Sequence, residues 1–404
     1  MDRKYRFHLL GLVHLPCTKE FISCAFTQKN LNLAKMLISL GHEVFYYGAE
    51  GSEVPCTEFV QTHTLSEIRK QWGDGDNRFS IGYDWHNADF RHDFNDRRAP
   101  VTEKFYRNAV LEIERRKRPD DFLLMTQGFY QKPIADLVKL YLTCEPGIGY
   151  RGSLSPKAVD YRFHPRAFES SYIQNFTYGS EAPYECSDGS FYDRVIPNYF
   201  DLKDFKFTDE KDDYFLFIGR MIRRKGIQVA YEVCKALNKK LVIVGQGAHV
   251  TKDGWLVPLV NPDFRLPPGN WEYVGFADVE KRKRLMSKAL AVIAPTLYLE
   301  CFGGTHVEAM LFGTPPITTN FGVFPGTIPD VLNGVVGFRC NTLQDFVDAA
   351  RKAPFVDHRK VREYGERFSM DKVKFEYQKW FDDMYQVYLS TLDTKVGGWN
   401  HLEL

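Results

Sequence analysis

Short apolar runs of strand character alternate with segments of helical period along this chain, and the alternation runs through twice. That pattern calls for parallel strands joined by crossover helices, because neighbouring parallel strands cannot be linked by a tight turn. In the first run, residues 6–13 read as a strand, and residues 27–40 repeat Leu33, Leu37 and Leu40 with Ala34 and Ile38 at helical spacing. That helix stops at Gly41, a natural C-terminal cap, and residues 43–47 form the next strand. Residues 101–118 follow as a helix, 122–125 as a strand, 133–139 as a helix and 140–144 as a strand. Residues 72–100 are polar and aromatic-rich without a clear period, and read as a long loop region.

The second run begins near Tyr214, with strands at 215–218, 241–244, 289–294 and 316–319. Helices are expected at 227–237, 282–288 and 305–312, and a last long helix at 370–389, with Ser369 placed to cap it. Residues 195–211, with Pro197 and a charge run, read as the connector. With 404 residues there is enough chain for two separate cores. The expected fold is therefore α/β, two Rossmann-like doubly wound domains facing across a cleft, with a ligand between the carboxyl ends of both sheets.

Charge narrows the function little. Fifty-three basic residues against 52 acidic ones leave a net charge of +1, which gives no global electrostatic reason to propose a nucleic-acid or membrane partner. The eight cysteines are scattered without a CxxC pair, which reads as a reduced, cytoplasmic protein with no zinc site. The first apolar run is too short to cross a membrane and lacks a small-residue cleavage site, so no transmembrane segment is expected.

Four places carry chemistry. A strand ends in Gly219, and Arg220 and Lys225 then lie in a loop feeding a helix that opens near Gly226. Backbone N–H groups, helix dipole and fixed cations converge there on an anion; a solvated basic loop is the alternative. Glu300, Phe302, Gly303, Gly304, Thr305 and Glu308 follow the strand at 289–294, and the two glycines let backbone N–H groups approach a ligand. Thr305 and Glu308 also fit a capping box, in which Glu308 folds back onto its own helix. Gly245 opens a GxG after the strand at 241–244, but the third position of a dinucleotide fingerprint is Val250, so an oxidoreductase reading fails. Gly275 and Phe276 end a further strand at the same sheet edge. Together these places suit a nucleoside diphosphate-sugar, with cations and helix N-termini for the diphosphate and carboxylates for hydroxyls.

The order of these motifs resembles glycosyltransferase family 4, the retaining GT-B enzymes of the glycosyl transferases group 1. GRMIRRKG is similar to the family's GR-x4-KG element, and LVIVGQG, EYVGF and ECFGGTHVEAMLFGTPPI follow in the family's order. The last has the E-x7-E spacing from Glu300 to Glu308. VIPNYFD at 195–201 is similar to the hinge segment VIPNGVD, and Gly41-His42-Glu43-Val44 to the first helix-to-strand turn. The likeness is strong over about residues 195–340 and weak over much of the N-terminal half.

The resemblance implies a hexosyltransferase that retains configuration and needs no divalent metal or other cofactor, with UDP or GDP carrying the sugar. It implies an acceptor domain over residues 1–200, a donor domain over 201–369, and a C-terminal helix at 370–392 packed back on the first domain. Arg220 and Lys225 would bind the diphosphate, Glu308 the ribose, Glu300 and the backbone at 302–304 the sugar, with Thr305 near the phosphates and Gly219, Gly245 and Phe276 lining the donor. Two places depart from the pattern. The usual glycine-rich first loop is His14-Leu15-Pro16-Cys17-Thr18-Lys19, and Glu145 stands where the family carries its active-site histidine. Glu145 is then either an acceptor-side catalytic carboxylate or an ordinary loop carboxylate. A hydroxylated acceptor (glycan, lipid or small molecule) should meet His14, Lys19, Gln127, Glu145 and the aromatic residues of 79–94. DGD at 74–76 reads as a turn, His164 as a loop residue, and the basic runs 115–118 and 281–284 as solvated helix faces. Two other readings remain: a transferase acting on hydroxylated DNA bases, with steep salt dependence, or a non-catalytic sugar-nucleotide scaffold.

Overall fold

A computed structural model describes residues 3–20, 25–72, 98–149, 165–181, 192–259, 264–327 and 334–392. The aromatic stretch 79–94, the DGD at 74–76 and His164 lie outside the described residues. Two compact units emerge, one formed by residues up to 72, 98–197 and 370–392, the other by 198–369.

The first unit contains β1 (Arg6–Leu10), α1 (Ala25–Ser39), β2 (Glu43–Ala49), β3 (Glu58–His63), α2 (Leu65–Trp72), α3 (Pro100–Glu114), β4 (Phe122–Leu124), α4 (Lys132–Val138), β5 (Leu142–Ile148), β6 (Arg166–Phe168), α5 (Ser171–Glu181) and β7 (Arg194–Val195). Its strands pair in parallel in the order β3-β2-β1-β4-β5-β6-β7. Nearly continuous apolar strands such as Arg6–Leu10 and Phe122–Leu124 are buried on both faces, as a sheet covered by helices on each side requires. Gly41, at φ +80°, ends α1 in the left-handed region, its N–H bonded to the Ile38 carbonyl.

The second unit contains β8 (Tyr214–Ile218), α6 (Ile227–Ala236), β9 (Lys240–Val244), a hairpin of β10 (Ala248–Val250) and β11 (Leu256–Pro258), β12 (Trp271–Gly275), α7 (Val279–Lys288), β13 (Ala291–Ala294), α8 (Gly304–Leu311), β14 (Pro316–Thr319), α9 (Phe324–Thr327), β15 (Phe338–Cys340), α10 (Leu343–Lys352) and α11 (His358–Gly365). The order β12-β9-β8-β13-β14-β15 is again doubly wound, reversing direction between β8 and β13. Leu216, Val242, Val292, Met286, Ala309 and Phe312 close part of its core. The hairpin occupies the place where a dinucleotide fold would open a helix after its glycines, so the GxG at Gly245 does not start one.

The chain then returns to the first unit as α12 (Met370–Leu392). Tyr377, Trp380, Phe381, Met384, Tyr385 and Tyr388 recur at helical spacing, and all are buried. The Phe381 ring lies 4.7 Å from Phe7 of β1 and 5.3 Å from Phe122 of β4, and Trp380 donates its indole N–H to the Tyr192 carbonyl at 2.9 Å. Where the chain leaves and returns, a parallel bridge joins Phe200 to Ser369, and the Phe200 N–H bonds the Phe368 carbonyl at 2.9 Å.

Several elements have no counterpart in the sequence pattern: β3, β6 and the β10–β11 hairpin lack a run long enough to show a period, and the helices α2 and α5 are absent from it as well. Glu145 requires a correction. The expectation ends the strand at Cys144 and leaves Glu145 as a loop carboxylate or an acceptor-side group. In the structure β5 runs on to Ile148, since β6 pairs with it (Glu145 opposite Arg166, Ile148 opposite Phe168) and an irregular register absorbs Pro146 and Gly147. Glu145 is therefore a strand residue with 1% of its surface exposed.

Truncating the side chain at the centre of the α12 contact should be costly. Phe381→Ala is expected to destabilise the first unit by roughly 3–5 kcal/mol, through lost burial and the cavity left against Phe7 and Phe122. Denaturant unfolding followed by the near-ultraviolet signal measures it.

Candidate functional site

The site grows out of the point where the second sheet changes direction. The loop after β8 and the loop after β13 meet there, and the Leu297 N–H bonds the Arg224 carbonyl at 2.8 Å. Residues Arg223–Lys225 form a single 3-10 turn that delivers the chain to Gly226 and α6. From the other side, residues 295–303 deliver it to α8, with Gly303 as the residue before the first turn.

Both helices start without a side-chain cap: Gly226 precedes α6 and Gly303 precedes α8. At three other helices of the unit the starts are filled. Asp278 caps α7, Thr342 closes a capping box on α10, and Asp357 caps α11. The first-turn N–H groups of α6 and α8 are thus left for something other than a protein side chain, in a region of positive dipole potential. Gly303 sits at φ +90°, and a Cβ there would lie 2.8 Å from the Phe324 ring, so only glycine makes this turn comfortably.

Cations and carboxylates converge at the same place. Lys225 donates to the Tyr298 hydroxyl and lies 3.6 Å from Glu300 Oε2, while the Tyr298 hydroxyl donates to Glu300 Oε2 at 2.5 Å. Burial lowers the Lys225 pKa; Glu300 opposes the shift and Arg220 adds to it. Arg220 is exposed and has no carboxylate partner among the described residues. Burial, and after it Glu300, raise the Tyr298 phenol well above its ordinary value, so it stays protonated. His306, under the α8 entry, is buried and held neutral, its pKa lowered to about 4 by burial.

Glu308 behaves differently from its capping-box alternative. It lies beyond the first turn of α8, and its Oε2 accepts from Arg282 on α7. Burial pushes its carboxyl pKa up, and Arg282 pulls against that. Arg282 belongs to the basic run read from the sequence as a solvated face; the structure turns that one side chain inward to Glu308. Phe302 is 2% exposed and packs edge-on against Phe368 at 5.3 Å, which leaves its backbone rather than its ring for a ligand. Gly304 and Thr305 open α8, half-buried, and Phe276 follows β12, also half-buried.

Gly245 is held where no side chain fits. Its φ is +145°, and a Cβ would stand 1.8 Å from the Gly219 carbonyl oxygen. The Tyr273 hydroxyl reaches the carbonyls of Gly245 (2.9 Å) and Ala248 (3.2 Å), fixing the turn after β9. Tyr273, Arg282 and Tyr298 are not legible as site residues in the sequence. Only Tyr298, two positions before Glu300, carries a local signal that points to the site.

In the first unit the candidate residues gather at the carboxyl ends of the central strands. His14 is half-buried and Lys19 exposed after β1, and Gln127 follows β4 with its N–H bonded to Gln131 Oε1 at 2.9 Å. Gln131, 1% exposed, donates to the carbonyls of Leu10 (3.3 Å) and Gly11 (2.9 Å) and ties the β1 and β4 ends together. Glu145 stays inside β5, as described above. Among the described residues, no three potential metal-ligating side chains come together, and no helix is long and apolar enough to cross a membrane.

Residues 200–354 match the family model of the glycosyl transferases group 1. Over that segment the chain is similar to the glycosyl transferases group 1. Over 152 residues it is 30% identical to the glycogen synthase of Pseudomonas aeruginosa, a stretch covering 37% of this chain and 28% of that protein's length. Over 95% of the chain, the fold superposes on all of a sucrose-phosphate synthase from Thermosynechococcus elongatus, with a TM-score of 0.66 and 15% identity. It superposes similarly, over 94% of the chain, on all of HepE from Anabaena solved with UDP and glucose, with a TM-score of 0.58 and 14% identity. These likenesses extend over both units and show the GT-B plan of two Rossmann-like domains. All the residues of the switch-point site described here fall inside the matched glycosyltransferase domain.

Two glycine substitutions separate constraint from tolerance. Gly245→Ala should cost about 3 kcal/mol or more, since both its φ and the Gly219 carbonyl oppose a Cβ. Gly304→Ala, with only a Phe200 ring atom 4.0 Å away, should stay within about 1 kcal/mol. Denaturation midpoints of the two variants test the contrast.

Proposed function

We propose that this protein is a retaining glycosyltransferase that moves a hexose from a nucleoside diphosphate-sugar to a hydroxylated acceptor without a divalent metal. The observation that carries the reading is the meeting of two uncapped helix N-termini with Lys225 and two carboxylates, Glu300 and Glu308, at one switch point. A diphosphate satisfies the N–H groups and the cations, and the carboxylates accept from sugar hydroxyls. Uridine is the base to try first, because the similar HepE was solved with UDP.

In the reaction the bond from the anomeric carbon to the phosphate oxygen breaks, and its electron pair leaves with the diphosphate. Arg220, Lys225 and the α6 and α8 N-termini are already oriented to stabilise that charge. The acceptor oxygen bonds the anomeric carbon on the face the phosphate leaves, and its proton passes to the departing phosphate oxygen. No pair of carboxylates at hydrolase spacing is needed. Glu308 holds the ribose once the donor displaces Arg282, and Glu300 holds the transferred sugar. His14, Lys19, Gln127 and Glu145 are the acceptor-side residues of the proposal.

The test is a panel of UDP-, GDP- and ADP-sugars read by thermal shift and by slow donor hydrolysis, with and without EDTA. One donor should stabilise the protein and be cleaved equally well with chelator present; no response to any donor would reject the reading. Lys225→Ala should then lower kcat by roughly a hundredfold or more with the far-ultraviolet dichroism unchanged. Because burial lowers the Lys225 pKa, the cation is lost at lower pH than in an ordinary lysine. The alkaline limb of kcat/KM should accordingly fall earlier than that of an exposed lysine, and Lys225→Arg should move it upward.

A further inference from the structure

Tyr298 stands at the centre of the charged groups of the site, yet neither the motif reading nor the family match gives it a role. Its hydroxyl receives a hydrogen bond from Lys225 and donates one to Glu300 Oε2 at 2.5 Å. Lys225 Nζ also lies 4.5 Å from the centre of its ring, and the Arg224 guanidinium 5.4 Å from it. Arg220 is close enough to act electrostatically on the phenol. The lysine and the carboxylate are themselves only 3.6 Å apart, a gap that a small side-chain rotation would close.

We propose that Tyr298 is a positioning residue that keeps the Lys225–Glu300 ion pair, at 3.6 Å, from tightening into a direct hydrogen bond. A charge-assisted lysine–carboxylate hydrogen bond is stronger than either bond to a neutral phenol. Closed on each other, the two groups would spend on mutual neutralisation the charge needed for the diphosphate and the acceptor capacity needed for a sugar hydroxyl. With the phenol between them, Lys225 directs one N–H to Tyr298 and keeps two for phosphate oxygens, and Glu300 keeps its second oxygen. The ring beneath the ammonium holds the lysine by cation–π attraction without consuming a donor. Because the phenol stays protonated, this separation persists across the working pH range.

The inference rests on the functional reading above only for its catalytic consequence; the separation itself can be measured without any donor. Tyr298→Phe keeps the ring and removes the hydroxyl. Competitive labelling of the free enzyme with acetic anhydride, read by peptide mass spectrometry across pH, reports the titration of Lys225. In Tyr298→Phe that titration should move up by about one unit, as the ion pair tightens into a direct hydrogen bond. Adding Glu300→Gln should abolish the rise, since an amide cannot form the pair. With the donor identified by the panel, Tyr298→Phe should lower kcat by roughly tenfold to a hundredfold while the donor KM changes less than about threefold. Tyr298→Leu should in addition weaken UDP binding through loss of the ring. An unmoved Lys225 titration in a Tyr298→Phe protein of wild-type melting temperature overturns the proposal. So does a lower kcat that comes with a lower melting temperature and no shift, the result a merely structural tyrosine would give. If the wild type cleaves none of the donors, the proposed function fails while the labelling result still decides the role of Tyr298.

Discussion

The pairing of β13 with β8 is the contact on which the functional half of this molecule depends. Ala291 lies opposite Phe215 and Val292 opposite Leu216, although two other strands of that sheet, β9 and β12, come between them in the chain. β9 and β12 go to one side of β8 and β14 and β15 to the other side of β13, so the crossover helices leave the two central strands in opposite directions. The chain after each central strand must turn away from its neighbour, and a crevice opens at their carboxyl ends. Two loops with different tasks are thereby brought within hydrogen-bond distance, cations on one and a carboxylate on the other.

What fills that crevice in the free protein is instructive. Lys225 is engaged by Tyr298 and Glu300, and Arg282 by Glu308, so two half-buried carboxylates and two cations satisfy one another. A buried charge left alone would cost several kcal/mol, which is why such groups occur as paired sets. The pairs differ in kind. Arg282 and Glu308 hydrogen-bond directly, whereas the lysine and Glu300, 3.6 Å apart, are hydrogen-bonded only through a neutral hydroxyl. Arg220, exposed as a residue, has no carboxylate bonded to it among the described residues. An incoming anion meets a region of positive potential whose counter-charges are local and exchangeable, and the backbone N–H groups of two helices need no rearrangement to receive it.

Much of this is legible in the residues alone. The twofold alternation reveals the class of fold because period is a property of each segment by itself. Arg220, Lys225, Gly303, Glu300 and Glu308 stand out because glycine and charge directly after an apolar strand seldom serve packing. The short elements are harder: a strand such as Arg166–Phe168 is held by its neighbours, and three residues carry no period. Glu145 is misplaced for the same reason, since Pro146 and Gly147 do announce a turn locally and only pairing with β6 carries the strand through them. Arg282 and Tyr298 depend on contacts 26 and 73 residues away along the chain, a kind of information that local pattern does not contain.

The last helix has a consequence for how such a chain is made. The aromatic faces of Phe7 and Phe122 are covered by Phe381, so the first unit lacks part of its core until the final helix has been synthesised. During translation the described part of the second unit, residues 198–369, is made before α12, while the earlier-made unit waits with apolar surface uncovered. The strands that begin at Arg6 and Phe122 therefore keep these aromatic faces uncovered until α12 has been made.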